Sequence, residues 1–321
     1  KGLTTISTEA AKILGANKVY LNLDGLTELN EDAAKYLGQY RGKHLSLSGL
    51  TKVSDKVAES LFKLSEDTYL NLSGLLELSG SAAKNLLDFS GSINLNGLTK
   101  LSEEASRSLS NSKMTSIRLN GIRRISDAVG ENLFRNASGQ RRNLYLNELN
   151  ELNNLSEVGA IGLSRFNGSI HLNGLTKFSS NSSKRLSAVK HESLNGSTDL
   201  FLNGLTCLND DVAKYMANHI GSIELNGVTE LSKTVAEILS SREEYASYDP
   251  RYICLKGPMK LSIEAAGMLT DASAIQLCPK NALKVKHARK ISVKLANDFL
   301  KKHGEHDPQK GFWDGCEFFD G

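Results

Sequence analysis

Five side chains with the chemistry to bind or react recur along the middle of the chain, 23 to 30 residues apart. Each stands between two aliphatic residues, as Arg118 stands between Ile117 and Leu119. Arginine and aromatic side chains dominate the energetics of protein interfaces. The set therefore predicts a binding patch, although free variation on a solvated face is the alternative. Its members are Arg118, Tyr145, His171, Phe201 and Glu224.

Other reactive groups do not form a pattern typical of an enzyme. His303, His306 and Cys316 are near one another in the sequence, but the two histidines lack the i, i+4 spacing of a helical metal site. The recurring turn sequence LNGLT lacks the glycine run that cradles a phosphate. We therefore predict no catalytic residues, no metal and no cofactor.

A basic stretch towards the end of the chain leaves a second possibility open. Its cations could attract an anion or a nucleic-acid backbone, although a solvated last helix is the simpler interpretation. The formal net charge of +3 over 321 residues argues against a nucleic-acid partner. The residues concerned are Lys284, Lys286, Arg289, Lys290 and Lys294.

Composition limits the compartment only weakly. The sequence contains no apolar run near the roughly 18–20 residues that span a bilayer, so we predict no membrane span. The cysteines lack paired spacing, which favours reduced thiols and mildly favours the cytoplasm. They are Cys207, Cys254, Cys278 and Cys316. The chain opens at Lys1 in mid-repeat, so we expect a truncated N-terminus and leave localisation and oligomeric state open.

An internal repeat determines which elements position the five residues. A glycine of the sequence GLT, or of a variant of it, recurs every 23 to 25 residues at first and up to 30 residues apart later. A fixed period of this size is typical of a solenoid. The anchors are Gly2, Gly25, Gly49, Gly74, Gly97, Gly121, Gly174, Gly204, Gly227 and Gly257, with Glu148 in the same position of one copy and a degenerate copy near His287.

Each copy is predicted to be a strand, a turn and a helix. Alternating aliphatic residues such as Leu45 and Leu47 indicate a strand with one buried and one free face, and the five candidate residues lie on the free face. Asn-Gly then predicts a sharp turn at positive φ, with the asparagine serving that turn. Serine and asparagine are predicted to cap the helix that follows. The predicted caps are Ser102, Ser126, Asn209, Ser232 and Ser262.

One position of each helix is always small, from Ala11 in the first copy to Ala296 in the last. Strands stack at about 4.8 Å, whereas packed helices prefer about 8–10 Å. Small residues let each helix approach its neighbours, and the remaining mismatch should curve the array. Because a helix of two or three turns is marginal alone, a copy should fold only against another copy.

This pattern resembles the leucine-rich-repeat superfamily, and more closely the bacterial arrays of the form LxLxGLTxLSxxAAxxL. The resemblance covers residues 1–300 and implies an α/β fold. We expect a curved right-handed solenoid of about 11–12 strand–turn–helix repeats with a parallel β-sheet on its inner face. Residues 301–321, which include Trp313, should form a C-terminal cap or tail.

The resemblance also implies a non-enzymatic scaffold for protein–protein contact. We expect an unidentified protein partner to bind the free face of the sheet. Insertions at 135–143, 189–198 and 240–251 should emerge on one edge and offer a second surface. The alternatives are a structural spacer without a specific ligand, or an anion- or nucleic-acid-binding role of the basic stretch.

Overall fold

The structure is a computed structural model of the whole chain. It describes residues 3–135, 141–149, 151–152, 156–188, 198–242, 252–257, 261, 265, 268–269 and 275–277. Within this part, no helix is long and apolar enough to cross a membrane.

Strands and helices alternate along the described chain, as the repeat predicts. The strands are β1 (Leu21–Asn22), β2 (His44–Ser46), β3 (Tyr69–Asn71), β4 (Ser92–Asn94), β5 (Ser116–Arg118), β6 (Arg142–Tyr145), β7 (Glu151–Leu152), β8 (Gly168–His171), β9 (Lys177–Phe178), β10 (Thr198–Phe201), β11 (Ile223–Glu224), β12 (Ile253–Leu255) and β13 (Ile275–Leu277). The helices are α1 (Thr8–Gly15), α2 (Glu31–Leu37), α3 (Asp55–Leu61), α4 (Gly80–Lys84), α5 (Glu103–Asn111), α6 (Asp127–Arg135), α7 (Glu157–Arg165), α8 (Ser180–Ser187), α9 (Asp210–Asn218) and α10 (Lys233–Ser240).

Eleven strands form one parallel sheet in chain order, which confirms the predicted α/β repeat architecture. The order is β1-β2-β3-β4-β5-β6-β8-β10-β11-β12-β13, while β7 and β9 form a separate parallel pair that the repeat pattern did not predict. Consecutive helices from α1 to α10 pack against one another. Each repeat therefore contacts its neighbours on both the strand side and the helix side.

The core lies between sheet and helices. Flanking aliphatic residues of the strands, such as Leu45 and Leu47, are fully buried together with the small helix residues, such as Ala34 and Ala58. The predicted small column is thus confirmed wherever the structure describes it, since these residues are buried in the helices that pack on the sheet. Ser102, Ser126, Asn209 and Ser232 cap their helices as predicted, and Ser262 lies outside the described residues.

The turn glycines serve a different purpose from the one predicted. Among the described glycines, positive φ occurs only at Gly168 and Gly221, which are not turn glycines of the repeat. A Cβ at Gly121 would lie 2.1 Å from the carbonyl oxygen of Asn96 in the preceding repeat, and one at Gly204 would lie 2.2 Å from that of Asn173. Glycine is needed because successive turns stack backbone against backbone, not because of its left-handed conformation.

Two predicted loops end earlier than the sequence suggested, since the insertion 189–198 ends where Thr198 begins β10 and the insertion 135–143 ends at β6. Arg142, assigned to the insertion 135–143, begins β6 and is only 2% exposed. Its guanidinium donates to the carbonyl oxygens of Leu109 (2.8 Å) and Met114 (3.0 Å) and also to that of Ser112. Burial lowers the pKa of Arg142 to about 10. Because this value is still well above 7, the guanidinium is charged at neutral pH. The side chain satisfies carbonyls that end α5 one repeat earlier, so it belongs to the core.

Candidate binding face

The five candidate residues lie side by side on consecutive strands of the main sheet. Arg118 pairs in register with Tyr145, Tyr145 with His171, His171 with Phe201, and Phe201 with Glu224. Each is half-buried, whereas the aliphatic residues on either side of it are buried. We call this line of outward residues, from Asn22 to Cys254, the central column.

Three aromatic rings of the central column form one continuous stack. The rings of Tyr145 and His171 are 4.2 Å apart and inclined by 14°, and those of His171 and Phe201 are 4.1 Å apart and inclined by 10°. The separation follows from the strand spacing of about 4.8 Å, which brings in-register side chains into contact. Stacked aromatic pairs contribute about 0.5–1.5 kcal/mol beyond area burial. The rings therefore hold one another in place and present their edges to solvent.

A second aromatic stack was missed by the sequence analysis. It lies on β2, on β3 and just before β1, two residues before the central column, where the side chains share the same face of the sheet. The rings of Tyr20 and His44 are 4.1 Å apart, and those of His44 and Tyr69 are 4.9 Å apart. The alternation of strand side chains predicts this shared face, but only one outward position per strand was considered.

Arg118 connects the two stacks. Its guanidinium carbon lies 5.1 Å from the centre of the Tyr145 ring and 5.6 Å from that of Tyr69, which is within cation–π range. Because Tyr69 is on β3 and Tyr145 on β6, the two rings approach β5 from opposite sides. The buried Nε of Arg118 has no hydrogen-bond partner among the described residues.

His171 is held in its neutral form. Burial, and secondarily the charge of Arg118, lowers the pKa of His171 from 6.5 to about 4. At neutral pH the stack is therefore an uncharged segment between the cation of Arg118 and the carboxylate of Glu224. Glu224 in turn accepts a hydrogen bond from the side-chain amide of Asn203 at 3.2 Å.

A ladder of side chains runs beside the central column, two residues further along each repeat. We call these places the ladder positions. The side-chain oxygen of Asn120 accepts the backbone N–H of Asn147 at 3.0 Å, and that of Asn203 accepts the N–H of Asn226 at 3.0 Å. In the same way, the side-chain oxygen of Asn147 accepts the N–H of Asn173, and that of Asn173 accepts the N–H of Asn203. The asparagines thus tie neighbouring repeats together, and the prediction that they serve their own turn was wrong.

The ladder explains why the central column of the first four repeats holds only asparagine or serine. Where a ladder position holds serine, the next N–H is satisfied from the central column instead. Asn71 accepts the N–H of Ser73 at 3.2 Å, and Asn94 accepts that of Asn96 at 3.0 Å. In these repeats the central residue must accept a backbone hydrogen bond, which asparagine can do.

From Asn96 onwards the ladder supplies this bond itself, beginning with the N–H of Asn120. The central residues of these later repeats need not accept a backbone hydrogen bond. They are Arg118, Tyr145, His171, Phe201 and Glu224. Asp24 has the same effect earlier, since it accepts the N–H of Ser48 at 2.8 Å and the residue at that central position is Ser46 rather than asparagine.

Several sequence predictions fall partly or wholly outside the described residues. The basic stretch at 284–294, the histidines His303 and His306 and the tail at 301–321 lie outside them, as do Cys278 and Cys316. So do residues 136–140, 189–197 and 243–251 of the three insertions. Cys207 is an exposed free thiol, and burial raises the pKa of the Cys254 thiol. In the described part, no group of three His, Cys, Asp or Glu residues could hold a metal ion.

Comparison with known proteins adds little to this geometry. No protein-family model matches the sequence, and no curated protein matches it. Among solved structures, the chain is similar to a leucine-rich-repeat protein of Leptospira interrogans. The identity is 15% over 95% of this chain and 82% of that one, with a TM-score of 0.37. The chain's own topology has the form of a leucine-rich-repeat-like solenoid.

Proposed function

We propose that this chain is a non-enzymatic binding module that captures a protein partner on the outward face of its parallel sheet. The single observation behind this proposal is the in-register stack of Tyr145, His171 and Phe201, continued by Arg118. These side chains are outside the core, so stability alone does not require them to be large.

The stack has the properties of an interface hot spot. Arginine and tyrosine are enriched at such sites, and aromatic rings already fixed in place lose little conformational entropy on binding. The second stack of Tyr20, His44 and Tyr69 extends the same face across the first strands. Together they give a surface of aromatic edges that crosses most of the sheet and suits a protein better than a small molecule.

Capture from a lysate of the source organism, read by mass spectrometry, tests the proposal. The first bait is the unchanged chain, and the second carries Tyr145→Ser and Phe201→Ser. A matched control carries Arg107→Ser, Val158→Ser and Lys214→Ser, which change exposed residues of α5, α7 and α9. We expect one stoichiometric partner to be held by the unchanged chain and the control and lost from the sheet-face variant.

Far-UV circular dichroism and the thermal midpoint of each bait check that all three are folded. A partner retained by a folded sheet-face variant would contradict the proposed face. No partner on any bait would favour the structural-spacer alternative. The basic stretch at 284–294 remains a separate candidate, and a salt-dependent nucleic-acid titration tests it independently.

A further inference from the structure

We propose that Arg118 is an anchor for a single carboxylate side chain of the protein partner. This inference rests on the proposed sheet-face function and specifies the partner's chemistry. It arises from one juxtaposition: a guanidinium placed between two tyrosine rings, beside an asparagine amide, on the outward face of the sheet.

The two rings fix the guanidinium and limit how it can be approached. Tyr145 and Tyr69 lie 5.1 Å and 5.6 Å from the guanidinium carbon and come from opposite sides along the sheet. A guanidinium has five N–H donors around its planar edge and none on its faces. A ligand of Arg118 must therefore bind at this donor edge.

Arg118 has no anion of its own in the described part of the chain. No ion pair or hydrogen bond of its side chain occurs there, and its buried Nε has no acceptor. Glu224, the acid of the central column, is four strands away in the sheet order, which is about 19 Å at the usual strand spacing. A buried donor without an acceptor is costly, so a ligand oxygen there would remove a penalty as well as add a bond.

A second donor lies beside it. Asn94 is the in-register neighbour of Arg118 on β4, and its side-chain oxygen is occupied by the N–H of Asn96 at 3.0 Å. That bond orients the carboxamide, so its NH2 group is the part left for a ligand. The site therefore offers donors from two side chains and would reject a cation or a second donor.

The charge balance of the face favours a carboxylate over a phosphate. Arg118 is the cation of the stack and His171 is neutral, so the site has a single positive charge. A planar carboxylate with one charge matches the arginine fork in a bidentate pair. A phosphate with nearly two charges would meet only this one cation, and it lacks the planar shape that matches the fork.

Solution NMR of the full chain tests this with small probes at constant ionic strength. The probes are N-acetyl-glutamate methylamide, the isosteric N-acetyl-glutamine methylamide, and N-acetyl-phosphoserine methylamide. The readout is the Nε–H signal of Arg118, assigned by its disappearance in Arg118→Lys. We expect a saturable shift with the glutamate probe and none with the glutamine probe. Tyr145→Leu keeps the arginine, and we expect it to weaken glutamate binding about tenfold by releasing the guanidinium.

Three results would overturn the inference: no saturable shift with glutamate, an equal shift with glutamine, or tighter binding of phosphoserine than of glutamate. Its failure can be told apart from failure of the proposed function. A partner that is lost from the Tyr145→Ser and Phe201→Ser bait but retained by Arg118→Gln would leave sheet-face binding in place and remove the carboxylate anchor.

Discussion

The side-chain oxygen of Asn94 accepts the backbone N–H of Asn96 at 3.0 Å, because the serine at the preceding ladder position, Ser73, leaves that N–H to its own repeat. One repeat later, Asn96 accepts the N–H of Asn120 at 3.0 Å, and the central residue there is Arg118. In the central column, residues larger than asparagine therefore occur where the asparagine ladder has taken over the backbone bonds.

Asn94→Ala should reduce the free energy of unfolding by about 1–3 kcal/mol, because it leaves the partly buried N–H of Asn96 without an acceptor. Adding Ser73→Asn should recover most of this loss, since the new carboxamide stands where Asn96 stands for Asn120. Urea unfolding of the two single variants and the double variant gives the coupling energy. Independent, additive effects of the two substitutions would show that the ladder does not relieve the central column.

A side chain at the turn glycine Gly204 should destabilise the fold. Gly204→Ala places a Cβ 2.2 Å from the backbone oxygen of Asn173, which cannot move without shifting the turn, so we expect a loss of about 1–3 kcal/mol. Gly130→Ala is the matched control, because its Cβ would meet the flexible end of Ile125 at 3.3 Å and the ring of Phe134 at an ordinary contact distance of 3.7 Å, with no backbone atom in the way. That change lies within α6 and should be neutral or stabilise by up to about 1 kcal/mol. Equal losses at both sites, measured by thermal unfolding, would refute the close-approach explanation.

Arg142 should contribute to stability although it is charged and buried. Arg142→Met removes the donors from several buried carbonyls, each costing about 1–3 kcal/mol when left unsatisfied, so we expect a net loss of about 3 kcal/mol. Arg107→Met, at an exposed position of α5, should change the unfolding free energy by less than about 0.5 kcal/mol. Denaturant titration of both variants decides the matter, and a stable Arg142→Met chain would mean that water replaces the guanidinium.

His171 should make the protein less stable in acid. Its folded pKa of about 4 lies below the ordinary 6.5, so the unfolded chain binds the extra proton first. The contribution of neutral His171 to the free energy of unfolding is fully present above about pH 6.5 and is lost as the pH falls towards 4. His171→Phe keeps a ring between Tyr145 and Phe201. This variant should lose the part of the pH dependence that comes from His171, whereas the part that comes from the carboxylates should be the same as in the unchanged chain.

The same pKa can be measured directly by NMR titration of the imidazole. Arg118→Met removes the nearby positive charge and should raise the pKa of His171, although burial, the larger cause, should keep it below 6.5. An unchanged pKa in that variant would show that the charge of Arg118 does not act on the imidazole of His171.

The sequence predicted the repeats and the register of the central column well. The two-residue period around Leu45 and Leu47 and the serine before each helix are local signals, and every copy repeats them. An error in one copy is therefore corrected by the others. That redundancy is why the sequence alone places Arg118 and Tyr145 on one face.

Features that depend on two neighbouring repeats were not predicted. The ladder bond from Asn120 to Asn147 and the close approach of Gly121 to Asn96 join residues of different copies, and a motif within one copy does not contain them. Arg142 falls within the predicted insertion because it precedes Leu144 and Leu146, the alternating aliphatic residues that mark the strand. Only the carbonyls left open by the end of α5 reveal why it turns inwards.

Photo-crosslinking to the captured partner tests the central claim most directly. Benzoylphenylalanine placed at Ser116, half-exposed on β5 beside Arg118, samples the sheet face, and the same group at Arg107 samples the helices. The account predicts a covalent adduct with the partner from Ser116 and none from Arg107. An adduct from Arg107 with none from Ser116 would show that the partner binds the helices and would contradict the account.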